Sequence, residues 1–373
     1  MATFLINCAN IKVGGGIQVA DSICRLLDKY CQHEFVVVTS SKLHTTKTAI
    51  SNYPNVRAFE YDMANGILLS VLGRDQTLDR LVDRYHVDAV LTVFGPPRWK
   101  PRCPHLCGFA RAHIVQTESP YFRLLRRKEY IKVKFTYHFL SLLFRRNADY
   151  IWTENPSVAA RLVKMYRGKT IYVVSNYYNQ VFDSPDLWQR DIILDPFPGV
   201  TCLTISAPYV HKNLPIMLDV CNYMEKVHPD FHFRFALTLT EEKCRFVSDN
   251  HRHHFVFLGT VDIRQCPSLY EQADIMFMPS LMECFSATYP EAMKMGVPIV
   301  TTDLDFSHGL CDEAACYYSA MDAEAAAEAI YKVATDKSYA QRLVDAGKCQ
   351  LKKFDNYEQR TEKMIQLLEK IVK

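Results

Sequence analysis

Two glutamates, Glu283 and Glu291, stand eight residues apart with Cys284, Phe285 and Ser286 between them, inside the run PSLMECFSATYPEAMKMGVPIVTTD from Pro279 to Asp303. The run reads as the end of a strand, a turn, and a helix beginning near Tyr289. The first N–H groups of a helix lack partners, and its dipole gathers partial positive charge at that end. A diphosphate is favoured there. Glu283, ahead of the turn, can take hydrogen bonds from sugar hydroxyls, and Glu291 can do the same for a ribose. Simple capping of the helix is the plainer alternative.

Other groups carry weaker signals. In SAPYVHKN, Ser206 to Asn213, Lys212 and Asn213 fall between a strand ending near Ile205 and a helix from Leu214, a place where a lysine can meet a phosphate. Gly14, Gly15 and Gly16 follow an apolar run and let backbone approach a ligand without a Cβ in the way. They do not form G-x-G-x-x-G, so a dinucleotide site is unsupported. His113 lies in GFARAHIVQTES, in a loop after a strand. His251, His253 and His254 crowd together, but no acid or cysteine falls at ligand spacing beside them, and Asp303 and Asp305 give a lone D-x-D. No metal and no other cofactor is therefore expected.

Strand, glycine turn and helix open a parallel α/β unit. Strands are expected over Thr3 to Cys8, Glu34 to Thr39, Ala89 to Phe94, His105 to Phe109, Tyr150 to Thr153 and Ile171 to Val174. Helical periodicity marks Gln18 to Tyr30, Thr77 to Tyr85 and Val158 to Tyr166. Turn-rich patches at Ser184 to Asp186 and Asp195 to Gly199 suggest an inter-domain connection. The rhythm then restarts with strands at Val200 to Ile205, Phe233 to Leu239, His254 to Leu258, Ile275 to Met278 and Ile299 to Thr301. An amphipathic helix, Tyr357 to Val372, ends the chain. The expected fold is α/β with two Rossmann-like domains, 1–180 and 195–350, and a helix in 351–373 returning to the first.

The 373 residues suffice for two cores, and a formal net charge of +3 gives no reason to expect a nucleic-acid partner. Thirteen cysteines, an odd number without C-x-x-C pairs, argue for reduced, buried thiols such as Cys24 and Cys221. With no apolar run long enough to span a bilayer and no basic leader, a cytoplasmic location is expected.

The run around Glu283 resembles the E-x7-E region of family 4 glycosyltransferases, usually written E-G-F-G-x-x-x-x-E. The flanking LYEQADIMFMPS and GVPIVTTD, the stretch Asn7 to Gly16, ADYIWTENPSVAARL and IYVVSNYYN fit the same pattern in order. The resemblance implies a GT-B fold and a retaining, metal-independent hexosyl or related transferase acting in polysaccharide or cell-envelope glycan synthesis. Its partners would be a nucleotide-sugar donor on the second domain and a glycan or lipid-linked acceptor on the first. It implies catalytic roles for His113, Lys212 and Glu283. Donor contacts would come from Gly15, Gly16, Lys212, Asn213, Ser280, Glu283, Cys284, Phe285, Ser286 and Glu291. The family's two turn glycines are Cys284 and Ser286 here. The arginine of its Gly-Arg pair is replaced by Ala207, which leaves His211 or a basic residue from the other domain to supply the charge. A nucleotide-sugar epimerase of the same fold and a non-catalytic nucleotide-sugar-binding protein are the alternatives.

One segment stands outside that pattern. Arg123 to Arg146 holds eight basic residues and one acid, interleaved with Tyr130, Ile131, Phe135, Phe139 and Leu142. Arg126, Arg127, Lys132 and Lys134 are expected to face an anionic membrane beside the acceptor, holding the protein peripherally on the inner face.

Overall fold

A computed structural model describes residues 1–12, 14–63 and 72–372. Val13, inside the Asn7 to Gly16 stretch, lies outside the described residues. The chain divides into two compact units, one formed by residues 1–115, 127–176 and 355–373, the other by residues 116–126 and 177–354.

The first unit contains a parallel sheet of β1 (Thr3–Cys8), β2 (Glu34–Thr39), β3 (Val56–Glu60), β4 (Ala89–Thr92), β5 (His105–Gly108), β6 (Tyr150–Thr153) and β7 (Thr170–Val173). Their order is β3-β2-β1-β4-β5-β6-β7. Phe4, Leu5 and Ile6 are fully buried because helices cover both faces, which is why the strands read as continuous apolar runs. The last helix, Tyr357–Val372, places Met364, Ile365, Leu368 and Ile371 in this unit's core. Their i, i+1, i+4, i+7 spacing makes one apolar stripe, and each such burial stabilises by roughly 1.5–3 kcal/mol.

The second unit repeats the plan with β8 (Val200–Thr204), β9 (Phe233–Leu237), β10 (Phe255–Phe257), β11 (Ile275–Met278), β12 (Ile299–Thr302) and β13 (Ala315–Tyr318), in the order β10-β9-β8-β11-β12-β13. In each sheet the winding reverses beside its first strand, between β1 and β4 and between β8 and β11. Ligands of open α/β sheets bind at the carboxyl ends of strands at such a reversal.

Two strands escaped the sequence reading, β3 and β13. Both lie at sheet edges; β3 carries Arg57 and Glu60 in an only half-buried run, whereas β13 is a short, mostly buried Ala-Cys-Tyr-Tyr. The turn-rich stretch after residue 177 is no loose connection. Tyr178, Val181, Phe182 and Leu194 are buried in the second unit's core, and Trp188 Nε1 donates to Val181 O at 2.6 Å. Gln116 to Arg126 also belongs to the second unit, although its sequence neighbours on both sides belong to the first.

Candidate functional site

The loops after β8 and β11 meet at the second sheet's reversal. After β8, a short turn over Val210–Lys212 ends at Asn213, whose left-handed backbone (φ 50°) turns the chain towards the helix Ile216–Val227. After β11, Leu281 N donates to His211 O at 2.7 Å, which ties the two loops together. Lys212 Nζ then lies 2.5 Å from Glu283 Oε1. Two buried donors beside them, Asn213 Nδ2 and Ser280 Oγ, have no hydrogen-bond partner among the described residues. An unpaired buried polar group costs about 1–3 kcal/mol.

The helix Thr288–Met295 starts just beyond. Its N-cap is Ala287, which supplies no side-chain bond, and Ser286 Oγ contacts Thr288 Oγ1 at 2.8 Å. Gly296 ends the helix in the left-handed region at φ 70°, where its N–H bonds back to the last turn. Cys284 is buried, and Phe285 meets Phe354 edge-on at 6.1 Å between ring centroids. Glu291 is buried in the first turn of this helix, where Tyr270 Oη donates to its Oε2 at 3.2 Å. Burial pushes its carboxyl up to about 7, against the opposing pull of the Tyr270 hydroxyl.

Sequence reasoning missed two supports. Gln116 Nε2 donates to Glu283 O at 2.7 Å, and Ser119 Oγ donates to Leu281 O at 2.6 Å. Both are buried. Both lie in GFARAHIVQTES, where only His113 had drawn attention. Burial lowers the His211 pKa below the usual imidazole value, despite the nearby Glu283 carboxylate.

The remaining candidates, Arg126 apart, belong to the first unit. Gly14, at φ 73°, precedes the helix Gly15–Arg25, and a Cβ at Gly14 or Gly15 would meet nothing within 4 Å. Gly16 is closer to its surroundings, with Phe94 Cδ2 at 3.5 Å. The His113 ring stacks on Tyr137 with centroids 4.6 Å apart and planes at 7°. Tyr137 comes from the helix Arg127–Asn147, which exposes Arg127 and Lys132, while Lys134 is half-buried; Arg126, the residue before the helix, is exposed as well. Ile131 and Phe135 of the same helix are 59% and 76% exposed. Among the described residues no helix is long and apolar enough to cross a membrane.

The expectation that the histidine cluster lacks an acidic partner is also corrected. Glu225, on the helix Ile216–Val227, reaches His254 Nε2 at 3.0 Å. The partner is distant in sequence and comes from another element, so spacing along the chain could not reveal it.

Residues 200–336 match the family described as glycosyl transferases group 1. Over 147 residues the chain is 28% identical to a phosphatidyl-myo-inositol mannosyltransferase of Mycobacterium leprae (strain TN), a match that spans 39% of this chain and 39% of that protein. Over 99% of its length the fold is similar to a sucrose-phosphate synthase of Thermosynechococcus elongatus, with a TM-score of 0.70, 16% identity and 98% of that chain covered. It is likewise similar, over 99% of each chain, to Anabaena HepE solved with UDP and glucose, with a TM-score of 0.64 and 14% identity. The segment that carries Lys212, Asn213, Ser280, Glu283 and Glu291 is therefore similar to the group 1 glycosyl transferases, on a chain whose two parallel sheets have the GT-B fold.

Proposed function

We propose that this chain is a retaining, metal-independent glycosyltransferase that moves a sugar from a nucleotide-sugar donor to a glycan or lipid-linked acceptor in polysaccharide or cell-envelope glycan synthesis. The observation that carries the reading is the Lys212–Glu283 pair, closed at 2.5 Å beside the unpartnered Asn213 Nδ2 and Ser280 Oγ. Each charge in that pair has an alternative partner on a donor. Lys212 would turn to the diphosphate and Glu283 to the sugar hydroxyls, so the pair would exchange one internal contact for two to substrate. As the bond to the anomeric carbon breaks, negative charge grows on the leaving diphosphate. Lys212, the backbone N–H groups from Cys284 to Ser286 and the dipole of the following helix would meet it. Glu291 would hold the ribose. The attacking hydroxyl would come from the same face as the leaving group, with the departing phosphate as base, so the anomeric configuration is kept and no cofactor is used.

The first unit would hold the acceptor, with Gly15, Gly16 and His113 near it and the helix Arg127–Asn147 resting on anionic lipid at the inner face of the membrane. No nucleic acid is expected. The test is release of nucleoside diphosphate from a panel of nucleotide-sugars, with and without candidate acceptors and in excess chelator. Acceptor-dependent release that survives the chelator, with a product of unchanged anomeric configuration, supports the reading. A strict metal requirement or an inverted product refutes it, and acceptor-free isomerisation makes the chain an epimerase.

A further inference from the structure

Three histidines, His251, His253 and His254, lie in the short turn Asp249–His254 that leads into β10. Glu225 faces them from the helix Ile216–Val227. Its Oε1 is 3.0 Å from His254 Nε2 and 3.7 Å from His253 Nε2. Its Oε2 is 3.7 Å from His251 Nε2. One ligand atom each from Glu225, His253 and His254 lies within 4.8 Å of the other two. Nitrogen and oxygen ligands of a tetrahedral ion at 2.0–2.2 Å are themselves about 3.3–3.5 Å apart, so side-chain rotation alone would close the set.

The buried ring, His254, is also held in the way a ligand is held. His254 Nδ1 is 3.0 Å from Phe233 O, and its ring stacks on Phe233 with centroids 4.4 Å apart. With the Nδ1 proton committed to that carbonyl, Nε2 presents its lone pair towards Glu225. His251, outside the ligand set, has its Nδ1 2.9 Å from Ser248 Oγ. The neighbouring cation, Arg252, turns to Glu241 at 2.6 Å and to Phe255 O at 2.9 Å. His254 is buried, while Glu225 and His253 are exposed, so an ion would reach a fixed anchor from solvent.

The geometry points to a divalent transition-metal site of the zinc class, with Glu225, His253 and His254 as ligands and water completing the tetrahedron. It would clamp the helix Ile216–Val227 to the turn entering β10, at the edge of the second sheet. The donor loops follow β8 and β11 instead, so the site's role is structural and independent of sugar transfer. The competing account is a set of simple His–Glu hydrogen bonds.

The experiment titrates the full chain, freed of metal by chelation and dialysis, with Zn²⁺ by calorimetry and with Co²⁺ by visible absorption. One equivalent should bind and raise the melting temperature, and Co²⁺ should show tetrahedral nitrogen–oxygen bands. His253→Ala, at an exposed position, and Glu225→Gln should each weaken binding by at least about tenfold. Sugar transfer in His253→Ala should stay unchanged. No binding to the wild type, binding equal in both variants, or a Co²⁺–thiolate band from the exposed Cys31 or Cys349 would overturn the proposal.

Discussion

Lys212 Nζ lies 2.5 Å from Glu283 Oε1, and both side chains keep only 11% of their surface exposed. A pair so far removed from water is worth little net stability when intact. Removing one partner leaves the other buried and uncompensated, at a cost of 3–5 kcal/mol. Lys212→Ala therefore mixes a stability loss with a catalytic one. The double variant Lys212→Ala/Glu283→Gln separates them, because it restores charge balance without restoring the cation. If Lys212 acts on the leaving diphosphate, kcat falls at least about tenfold in both variants with a smaller change in KM. Steady-state kinetics that leave kcat within about twofold would remove the lysine from the mechanism.

Burial pushes the carboxyl of Glu291 up to about 7, so the proposed ribose role makes donor binding depend on pH. Ribose hydroxyls donate most strongly to the ionised form, so binding favours proton loss. Donor affinity should rise as pH increases through about 7 and level off above it. Glu291→Gln should flatten that profile, and Glu291→Ala should weaken binding by about 1.5–3 kcal/mol. Calorimetric titration of the donor at several pH values checks this. An affinity that is flat in the wild type, or equally pH-dependent in Glu291→Gln, contradicts the ribose role.

A second buried carboxyl sets a stability trend. Burial raises Glu154 from 4.5 to about 7, while the Arg360 guanidinium and the Asn176 side chain pull it down. Between those two values the folded chain keeps a proton that the unfolded chain has released, so stability falls as pH rises across that window. Arg360 is buried as well and donates to Ser22 and Asn176, tying the last helix to the first unit. Melting temperatures should drop less between about pH 5 and pH 8 in Glu154→Gln than in the wild type. An unchanged drop would remove Glu154 as its source.

The exposed Ile131 and Phe135, beside the exposed Arg126, Arg127 and Lys132, suit an anionic bilayer surface. Each basic residue close to such a surface contributes about 1 kcal/mol. Liposome co-sedimentation should show binding to vesicles with anionic lipid and release by salt. Changing Arg126, Arg127, Lys132 and Lys134 to Gln should abolish it while donor affinity stays normal. Equal sedimentation with neutral vesicles, or none with either kind, leaves a solvated helix.

The two-sheet fold was legible because central strands such as Thr3–Cys8 and Ile275–Met278 are unbroken apolar runs, with helices of clear periodicity between them. Edge strand Val56–Glu60 was not, because a half-covered strand carrying Arg57 and Glu60 has no such block; Ala315–Tyr318 is apolar and mostly buried, and its omission has no such reason. Among the candidate residues, Glu283 and Glu291 could be singled out by their spacing around a helix start. Gln116 and Ser119 could not, since their contacts to Glu283 O and Leu281 O are made across more than 160 residues of chain. Glu225 escaped for the same reason. A periodic pattern reports one element's own faces, and a tertiary contact between two elements leaves no trace in either.

The most direct test of the account is binding of nucleotide-sugars to the second unit's site, read as thermal stabilisation of the wild type and of Glu291→Gln and Lys212→Ala/Glu283→Gln. At a hundredfold excess over Kd, a donor adds about 2.7 kcal/mol, enough for a shift of several degrees. The account predicts that at least one nucleotide-sugar shifts the wild type in this way and shifts both variants markedly less. No shift with any donor, or equal shifts in all three proteins, would contradict it.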